Sequence, residues 1–424
     1  MLAKKINDLP KPLTDFIRWV GRLADDRGLG VYAVGGFVRD FLLGVDNFDL
    51  DLVVEGDGIV FASEIARRLN LKLTTHKRFG TATLFGLGGF KVDITSARRE
   101  IYEKPAALPT VFSGHIKDDL FRRDFTINAM AIGINKHTFG HLIDFYGGQE
   151  DLKKGLLRVL HSLSFMDDPT RILRAVRFEQ RFDFVIENMT LDYLKEAAGK
   201  KMIHEVQKHR LRDELVLLFK EPAPIKSLRR LDQLCGFSYI ASSLCFKKAW
   251  PRQFDAIAQT ALWFKSHLTH KRHLELYCMY MSLFFYELSL KDLRKTISDF
   301  AFHKGESSRI VSLKGSFLSL SGVLSKKNIR ASQAYRQLEP LSYEVILLIK
   351  ALSKNSLLQK RIEDFLCQHD GICLYLQGGD LKKMGLEPGP HYKKILDSLL
   401  DAKIDTKVKT KEDELKLLGK FLKL

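Results

Sequence analysis

The hydrophobic pattern of the chain changes its period near Leu156, and this change restricts the possible fold more than any other feature of the sequence. Ahead of it, short β-rich runs such as residues 81–85 and 90–94 are separated by glycine-containing turns, which is typical of strands. Beyond it, apolar residues recur at intervals of three and four in runs such as 171–178 and 343–353, which predicts helices. The sequence therefore predicts an α+β protein, with a mixed β-sheet in an N-terminal head and an all-helical remainder.

Four segments are expected along the chain. They are a head at residues 1–150, a helical neck at 151–220, a helical body at 221–365 and a helical tail at 366–424. Pro222 and Pro224 favour a boundary between neck and body, because proline ends a helix. The serine- and lysine-rich stretch 319–330 favours a second boundary inside the body. No motif is assigned to the body, which we expect to be a helical scaffold.

The composition excludes several classes of protein. At 424 residues, 45% of them hydrophobic, the chain can bury the cores of a few domains. It has no run of about 18 apolar residues and its N-terminus has no apolar signal segment, so we expect a cytoplasmic protein that does not enter a membrane. The five cysteines form no CxxC pair, which argues against a zinc site and for reduced thiols.

The positive charge lies mostly in the C-terminal half. Residues 1–220 hold 34 lysines and arginines against 30 acidic residues, whereas residues 221–424 hold 34 against 21. The formal net charge of +17 is therefore divided into +4 and +13. A near-neutral half joined to a basic half suggests that one part carries out chemistry while the other binds a polyanion, most simply nucleic acid. Solvated surface lysines are the alternative explanation.

The candidate catalytic residues begin with a pair of acids in the segment NFDLDLVVE, residues 47–55, which is predicted to form a strand. Because side chains alternate along a strand, Asp49 and Asp51 would lie on one face. Two carboxylates on one face form an oxygen site suited to Mg²⁺, which shares its other positions with water and substrate phosphates. An isolated pair of this kind is more often a solvated surface, so its surroundings decide the assignment.

The residues just before this strand form a second part of the predicted site. Gly35 and Gly36 follow a predicted strand and precede a short predicted helix, so backbone N–H groups can bind phosphate oxygens there. Arg39 adds a positive charge to the same turn. The complete string GGFVRDFLLGVDNFDLD, residues 35–51, resembles the signature of the nucleotidyltransferase superfamily. It is most similar to the class II branch, which contains tRNA nucleotidyltransferases and bacterial poly(A) polymerases.

This resemblance implies a reaction and a set of catalytic residues. The 3′-hydroxyl of an RNA would attack the α-phosphate of CTP or ATP and release pyrophosphate, with Mg²⁺ bound at Asp49 and Asp51. Asp93, in the segment KVDIT, stands where these enzymes place a further acidic residue on a strand, and it is the third catalytic candidate. An ordinary surface acid on a strand is the alternative for Asp93.

A second family motif is matched by RRDFTINAM, residues 122–130. In the family an arginine of this motif contacts the triphosphate, here Arg123, while an acid and an amide lie near the sugar, here Asp124 and Asn128. These two are four residues apart, which would place them on one helical face, where they can together bind ribose hydroxyls. The following DFYGG segment with Asp151 resembles a third motif that is expected to be structural.

The segment DDPTRILRAVRF, which begins at Asp167, is the most informative match. Asp168 and Arg171 are three residues apart at a predicted helix start, so both would project from its first turn. An acceptor beside a forked donor matches the Watson–Crick edges of cytosine and adenine and fits uracil or guanine poorly. The resemblance implies that this helix is a protein template for the incoming CTP or ATP, with Arg174 and Arg177 as further nucleotide-binding residues. The first position of the segment is commonly glutamate in the family.

Two further segments match the family outside this site. HRLRDEL, from His209, is similar to its ERxRxEL helix with histidine in place of the usual acid, and Arg210 and Arg212 are expected to stabilise the neck through acidic partners. Residues 378–396, with a Pro-Gly-Pro turn opening a lysine-bearing helix, resemble a segment near the end of many tRNA nucleotidyltransferases. The residues assigned to RNA binding there are Lys382, Lys383, Lys393 and Lys394. A surface loop between two helices is the alternative.

The resemblance leaves the exact activity open among related reactions. We expect tRNA to be bound along its acceptor and TΨC arms, with CTP and ATP as substrates. The enzyme would add CCA, or only the terminal A, to the tRNA 3′ end; poly(A) synthesis and a catalytically inactive RNA-binding relative are the alternatives. Residues 97–110 occupy the position of the family's flexible loop, which CC-only enzymes lack, so CC-only addition is least expected.

Overall fold

The computed structural model describes residues 2–77, 80–269, 271 and 273–421. The chain divides into two compact units. The first comprises residues 1–214 and 226–239, and the second comprises residues 215–225 and 240–424.

A mixed β-sheet forms the centre of the first unit. The described strands are β1 (Gly30–Val34), β2 (Leu50–Glu55), β3 (Lys72–His76), β4 (Thr81–Leu87), β5 (Phe90–Ser96), β6 (Arg98–Ile101), β7 (Thr110–Ser113), β8 (Ala131–Gly133), β9 (Leu142–Ile143), β10 (Leu156–Leu157) and β11 (Val185–Ile186). Seven of them form one sheet in the order β3-β4-β5-β2-β1-β8-β9, in which β2 and β5 are parallel and the other neighbours are antiparallel. β6 pairs with β7, and β10 pairs with β11.

Helices surround this sheet and follow it. The described helices as far as residue 239 are α1 (Leu2–Asn7), α2 (Lys11–Asp26), α3 (Gly35–Leu43), α4 (Gly58–Leu69), α5 (Ile116–Phe121), α6 (Gly148–Lys154), α7 (Ser164–Asp167), α8 (Arg171–Phe182), α9 (Asn188–Gly199), α10 (Lys208–Lys220) and α11 (Pro224–Leu234). Short 3₁₀ helices occupy Thr126–Asn128 and Met202–Glu205. A mixed sheet followed by helices confirms the predicted α+β class.

Strand β2 lies in the middle of the sheet, and its sequence reflects that position. Leu50, Leu52, Val53 and Val54 are each at most 1% exposed, so both faces of the strand are covered. Asp51 is therefore a carboxylate within a strand that is otherwise apolar along this stretch. An acid in such a place needs a compensating charge or ligand.

The described residues of the second unit form helices joined by loops, with no β-strand among them. Its helices beyond residue 240 are α12 (Trp250–His267), α13 (Leu276–Tyr286), α14 (Leu290–Asp299), α15 (Lys304–Leu324), α16 (Ala331–Leu338), α17 (Tyr343–Leu352), α18 (Ser356–Asp364), α19 (Gly378–Lys383), α20 (Pro390–Ile404) and α21 (Lys411–Phe421), with a π-helical turn at Phe365–His369. Helix α15 includes the first part of the serine- and lysine-rich stretch 319–330. No described helix is both long enough and apolar enough to span a membrane.

The C-terminal helices have a small core of their own. Leu376, Leu381, Leu399 and Leu418 are buried together between α19, α20 and α21. Glu414 is fully buried beside them and accepts a hydrogen bond from the backbone N–H of Leu376 at 2.9 Å. This core fixes the C-terminal end of α19 and the N-terminal end of α20, which carry lysines, relative to each other.

Candidate active site

The turn between β1 and α3 lies at the centre of the candidate site. Gly35 has a φ of 67°, and a Cβ atom on it would lie 2.7 Å from Nη1 of Arg123 and 3.7 Å from Oδ2 of Asp51. The guanidinium of Arg123 therefore lies against the backbone of the turn, beside the Asp51 carboxylate. The predicted glycine turn opening a helix is confirmed, and the absent side chain leaves the space that Arg123 occupies.

The predicted strand at residues 47–55 begins later than expected. Strand β2 starts after Asp49, so this acid lies just before the strand instead of inside it. The Asn47 side chain explains the difference, because its Oδ1 accepts the backbone N–H of Asp49 at 3.1 Å while its amide donates to Asp40 at 2.7 Å. Asp49 is exposed and Asp51 is partly buried.

The Asp51 carboxyl lies among other acids. It stands opposite Asp93 in the parallel pairing of β2 with β5. The pKa of Asp51 is raised to about 6, mainly by burial; Arg123 lowers it, and the charges of Asp93 and Asp49 add to the rise. A cation bound here would relieve both the burial cost and the repulsion, so the electrostatics favour a metal ion at this position.

Asp93, the predicted third acid, is held by two neighbours. Thr83 Oγ1 donates to its Oδ1 at 2.5 Å, and Lys91 Nζ donates to its Oδ2 at 2.6 Å. Within the residues that the structure describes, no group of three or more His, Cys, Asp or Glu side chains is arranged to hold a metal ion. The oxygen ligands that remain are the carboxylates of Asp49 and Asp51, a set that fits Mg²⁺ because this ion keeps most of its waters.

Arg122 and Arg123 share one buried acid. Asp119 is fully buried and accepts from Nε and Nη2 of Arg122 at 2.9 and 2.7 Å, and from Nη2 of Arg123 at 2.9 Å. Nε of Arg123 is buried and has no hydrogen-bond partner among the described residues. Asp119 thus directs the Arg123 guanidinium toward Gly35 while part of its donor capacity remains unused.

Asp124 and Asn128 meet as expected, but the predicted helical face is wrong. The Asn128 amide donates to Oδ1 of Asp124 at 2.9 Å from the end of the 3₁₀ helix. Phe125, between them, forms an antiparallel bridge with Val159, and this extended pairing prevents an α-helix from starting at Asp124. The two side chains therefore come together across a bend.

Arg39 lies inside the head. It is 5% exposed, its Nε donates to Asp40 at 2.8 Å, and its Nη1 donates to Oδ1 of Asn128 at 2.7 Å. Its guanidinium also lies 5.3 and 4.7 Å from the ring centres of Phe178 and Phe182. These contacts fix the orientation of Asn128. Direct contact between Arg39 and a phosphate stays a prediction.

The charge of Asp124 is stabilised from helix α8. Nε of Arg174 donates to Oδ2 of Asp124 at 2.8 Å. Burial acts to raise the pKa of Asp124, but Arg174 and the Asn128 amide outweigh it and lower the pKa to about 2. Asp124 is therefore ionised near neutral pH, and its carboxylate is a hydrogen-bond acceptor for Arg174 and Asn128.

Asp168 and Arg171 lie at the junction of α7 and α8. Helix α8 begins at Arg171, so Asp168 precedes it and the prediction that both stand in its first turn is wrong. The reason is that Oδ1 of Asp168 accepts from the N–H and hydroxyl of Thr170 at 3.1 and 2.6 Å, which closes a separate turn. Arg171 is buried and donates to Ser164 Oγ and, at 2.8 Å, to the carbonyl of Arg122.

The acidic partners expected for Arg210 and Arg212 are present, and one of them is the template acid. Nη2 of Arg210 lies 2.9 Å from Oδ1 of Asp168, and Arg212 pairs with Asp213 at 2.6 Å. Among the described residues, the hydrogen-bond donors to Asp168 all reach Oδ1. Oδ2 is therefore the oxygen left for a ligand.

Arg174 and Arg177, both predicted to bind nucleotide, face helix α10. Nη1 of Arg174 lies 3.0 Å from Oε1 of Glu214, and Nη2 of Arg177 lies 3.6 Å from Oε2 of the same acid. Burial acts to lower the pKa of Arg174, but the neighbouring acids outweigh it and raise that pKa. These ion pairs join α8 to α10, so both arginines stabilise the packing of the helices beside the site.

The lysines assigned to RNA binding lie in the second unit. Lys382 and Lys383 end helix α19, and Lys393 and Lys394 are in the first turns of α20, just after Gly389 at its N-cap. All four side chains are exposed. Their ammonium groups are accessible to a polyanion.

Residues 31–158 match the family model described as the Poly A polymerase head domain. That span contains the Gly35 turn, the acids Asp49, Asp51 and Asp93, and Arg123. The fold and the site together therefore define a nucleotidyltransferase. The A-adding tRNA nucleotidyltransferase of Halalkalibacterium halodurans is 34% identical over 388 residues, 90% of this chain and 86% of that protein. The chain therefore belongs to the tRNA nucleotidyltransferase family.

Two other comparisons agree with this assignment. The A-adding tRNA nucleotidyltransferase of Geobacter sulfurreducens is 36% identical over 414 residues, which are 96% of this chain and 47% of that protein. The chain thus spans about half the length of that relative. A solved Thermotoga maritima CCA-adding enzyme complexed with tRNA_CCA is similar with a TM-score of 0.72 and 32% identity, over 99% of this chain and 98% of that one.

Proposed function

We propose that this protein adds the terminal A of the tRNA CCA end, by transfer of AMP from ATP to the RNA 3′-hydroxyl with release of pyrophosphate. The observation that carries the proposal is that the first unit holds both the Asp51–Arg123–Gly35 group and the template pair Asp168 and Arg171. The H. halodurans and G. sulfurreducens relatives, matched over 90% and 96% of this chain, are both named A-adding, which favours A over C.

The reacting phosphates would lie between the acid pair and the glycine turn. We assign Mg²⁺ to Asp49 and Asp51; when bound, it lowers the pKa of the attacking hydroxyl and offsets charge on the leaving pyrophosphate. The backbone N–H groups at the N-terminus of α3, from Gly35, and the Arg123 guanidinium would bind the triphosphate. Asp93 would contribute negative charge from the neighbouring strand, with its position fixed by its own hydrogen bonds.

The sugar and the base would be read by separate groups. Asp124 would accept a hydrogen bond from a ribose hydroxyl and Asn128 would complete the contact, with Arg39 holding the amide in position. Oδ2 of Asp168 would accept from the exocyclic amino group of the base, and Arg171 would donate to its ring nitrogen. Adenine and cytosine both present an amino donor beside a ring-nitrogen acceptor, whereas uracil and guanine present the reverse order and would meet Asp168 with a carbonyl.

Full CCA addition is the second candidate, because the base-reading pair fits cytosine as well as adenine. The likeness to the T. maritima CCA-adding enzyme, over 99% of this chain, favours it. Three tRNA transcripts separate the two functions: one ending at the discriminator base, one after the first added C, and one after the second. Each is incubated with Mg²⁺ and with ATP or CTP alone.

The proposal requires that ATP extends only the transcript ending in CC, by one nucleotide. Incorporation of CTP into the two shorter transcripts would establish full CCA addition instead. Long A tracts on any transcript would identify a poly(A) polymerase, and tRNA binding without incorporation would identify an inactive relative. Asp49→Ala must abolish incorporation; an active variant would refute the acid-pair assignment.

We also propose that the tail binds tRNA along its acceptor and TΨC arms. The support is the +13 charge of residues 221–424 and the four exposed lysines of α19 and α20. Replacing Lys382, Lys383, Lys393 and Lys394 by alanine should weaken tRNA binding and make it less salt-dependent. The KM for ATP should stay unchanged, because none of the residues assigned to ATP binding lies on α19 or α20. An unchanged salt slope for tRNA binding would contradict the proposal.

A further inference from the structure

We propose that a row of four rings on the head, Phe145, Tyr146, Phe121 and His161, binds the unpaired 3′ nucleotides of the RNA substrate by stacking. This inference rests on the proposed function and specifies where the RNA strand lies as it reaches the acid pair. The ring row is formed by α5, the loop after β9, and the segment ahead of α7.

The rings follow one another at contact distance. The ring centres of Phe145 and Tyr146 are 6.2 Å apart, those of Tyr146 and Phe121 are 5.8 Å apart, and those of Phe121 and His161 are 5.5 Å apart. The Tyr146 hydroxyl donates to the carbonyl of Lys117 at 3.2 Å, which fixes the central ring. Successive rings at this spacing offer faces and edges on which bases can stack one after another.

Two of the four rings are open to solvent, whereas Tyr146 and His161 are partly buried. Phe121 is 46% exposed and Phe145 is 50% exposed, whereas Phe125 and Phe165 of the same unit are fully buried. Leu163, two residues after His161 in the chain, is also 59% exposed. Large aromatic side chains exposed next to one another mark an interaction surface, since folding alone would cover them.

The charges around the ring row favour RNA as its occupant. Lys117 Nζ lies 5.7 Å from the ring centre of Phe145. Arg122 and Arg123 follow Phe121 in the chain, and both are paired with the buried Asp119. An exposed ring beside a lysine suits single-stranded RNA, because the ring can stack on a base while the cation neutralises a phosphate.

Phe121 and His161, neighbours in the ring row, lie near the two halves of the candidate site. Phe121 is two residues from Arg123, whose guanidinium lies against the Gly35 turn. Nδ1 of His161 lies 3.9 Å from a carboxylate oxygen of Asp167, the residue before the template acid. A strand stacked on the ring row would therefore approach both the phosphate-binding turn and the base-reading pair.

The test compares Phe121→Ala with Phe85→Ala, which removes a phenylalanine that is 39% exposed on β4, outside the ring row. A tRNA ending in CC carries 2-aminopurine in its unpaired 3′ segment, and binding is followed by fluorescence without Mg²⁺. Wild type and Phe85→Ala should quench the fluorophore, and Phe121→Ala should not. With Mg²⁺, Phe121→Ala should raise the KM for tRNA by about tenfold and leave the KM for ATP unchanged.

Two further variants keep the result interpretable. Phe121→Tyr should restore both quenching and the KM for tRNA, because it restores a ring. Phe145→Ala, at the exposed end of the ring row, should show a smaller change in the same direction. The inference is wrong if Phe121→Ala, Phe145→Ala and Phe85→Ala show equal quenching and an equal KM for tRNA. It is also wrong if Phe121→Ala alters only the association of this protein with another protein.

The inference and the proposed function can fail separately. If the wild type adds no nucleotide to any transcript, the proposed function fails, while fluorescence quenching of the bound tRNA still tests the ring row. If the wild type adds A normally and the ring variants match Phe85→Ala, only the stacking inference fails.

Discussion

Nη2 of Arg210 lies 2.9 Å from Oδ1 of Asp168, so helix α10 holds the acid that we assign to base selection. The Arg210 and Asp168 side chains are 21% and 16% exposed, respectively, which limits screening of the pair by solvent. Arg210 thereby occupies the oxygen that the Thr170 turn also uses and leaves Oδ2 for the base.

Arg210→Ala should reduce the preference for ATP over UTP by about tenfold, because Asp168 loses the donor that fixes its orientation. The rate with saturating ATP should fall less. Single-turnover incorporation with each nucleotide measures both effects. Arg68→Ala, which breaks an exposed pair with Glu64 in the same unit, is the control and should leave selectivity unchanged. Wild-type selectivity in Arg210→Ala would refute the positioning role.

Gly35→Ala should abolish most activity, because its Cβ would lie 2.7 Å from Nη1 of Arg123 and displace the guanidinium from the turn. Gly44→Ala is a matched control: Gly44 has a φ of 71°, close to the 67° of Gly35, and a Cβ there meets nothing within 4 Å. Both variants should lose about 1 kcal/mol of stability from backbone strain. Equal activity in the two would contradict the assigned role of Arg123.

Asp51→Asn should stabilise the protein while abolishing nucleotide addition. Burial raises the pKa of Asp51 to about 6 from 3.8, so the ionised form destabilises the folded state. This cost develops as pH rises from about 4 to 6 and reaches at most about 3 kcal/mol. In EDTA at pH 8, Asp51→Asn should therefore melt about 5 °C above the wild type. Mg²⁺ should raise the melting temperature of the wild type alone; a less stable variant in EDTA would contradict the charge assignment.

Acid should destabilise the protein through Asp124. Its pKa is lowered to about 2 from 3.8 by Arg174 and Asn128, against the effect of burial. The ionised form therefore stabilises the fold by about 2 kcal/mol above pH ~4, and this contribution is lost as pH falls toward 2. Asp124→Asn should be less stable at pH 7 and show a weaker decline in acid. Asp26→Asn, at an exposed position on α2, should follow the wild-type profile; the same profile in Asp124→Asn would refute the assignment.

The parts of the site that could be predicted are those encoded by local patterns. The turn at Gly35, the acids Asp49 and Asp51 and the template residues each occupy a short segment with recognisable periodicity. The errors in their placement span a few residues, and each comes from a local hydrogen bond or bridge that competes with regular structure. Asn47 delays strand β2, and Thr170 ends the turn before α8.

The contacts of the site that could not be predicted are those between elements distant in the sequence, because they depend on how the elements pack in the fold. Arg210 and Asp168 are 42 residues apart, and Arg39 and Asn128 are 89 apart, so no local pattern relates them. A partial signal was present on α10, where Arg210 and Glu214 are one helical turn apart. Their charges are opposite to those of their partners, which are Asp168 just ahead of α8 and Arg174 on α8. The exposed ring row also has no periodicity, because its members come from three separate segments.

The hydrogen bond from Arg174 to Asp124 has a consequence for how the protein is made. Synthesis proceeds from the N-terminus, so residues 1–150 leave the ribosome before the helix that carries Arg174. Until that helix arrives, folding of these residues would bury Asp124 without its cation, which opposes folding. The nascent head should therefore complete its folding only after the neck has emerged, and a chain cut after residue 150 should be recovered as an unstable fragment.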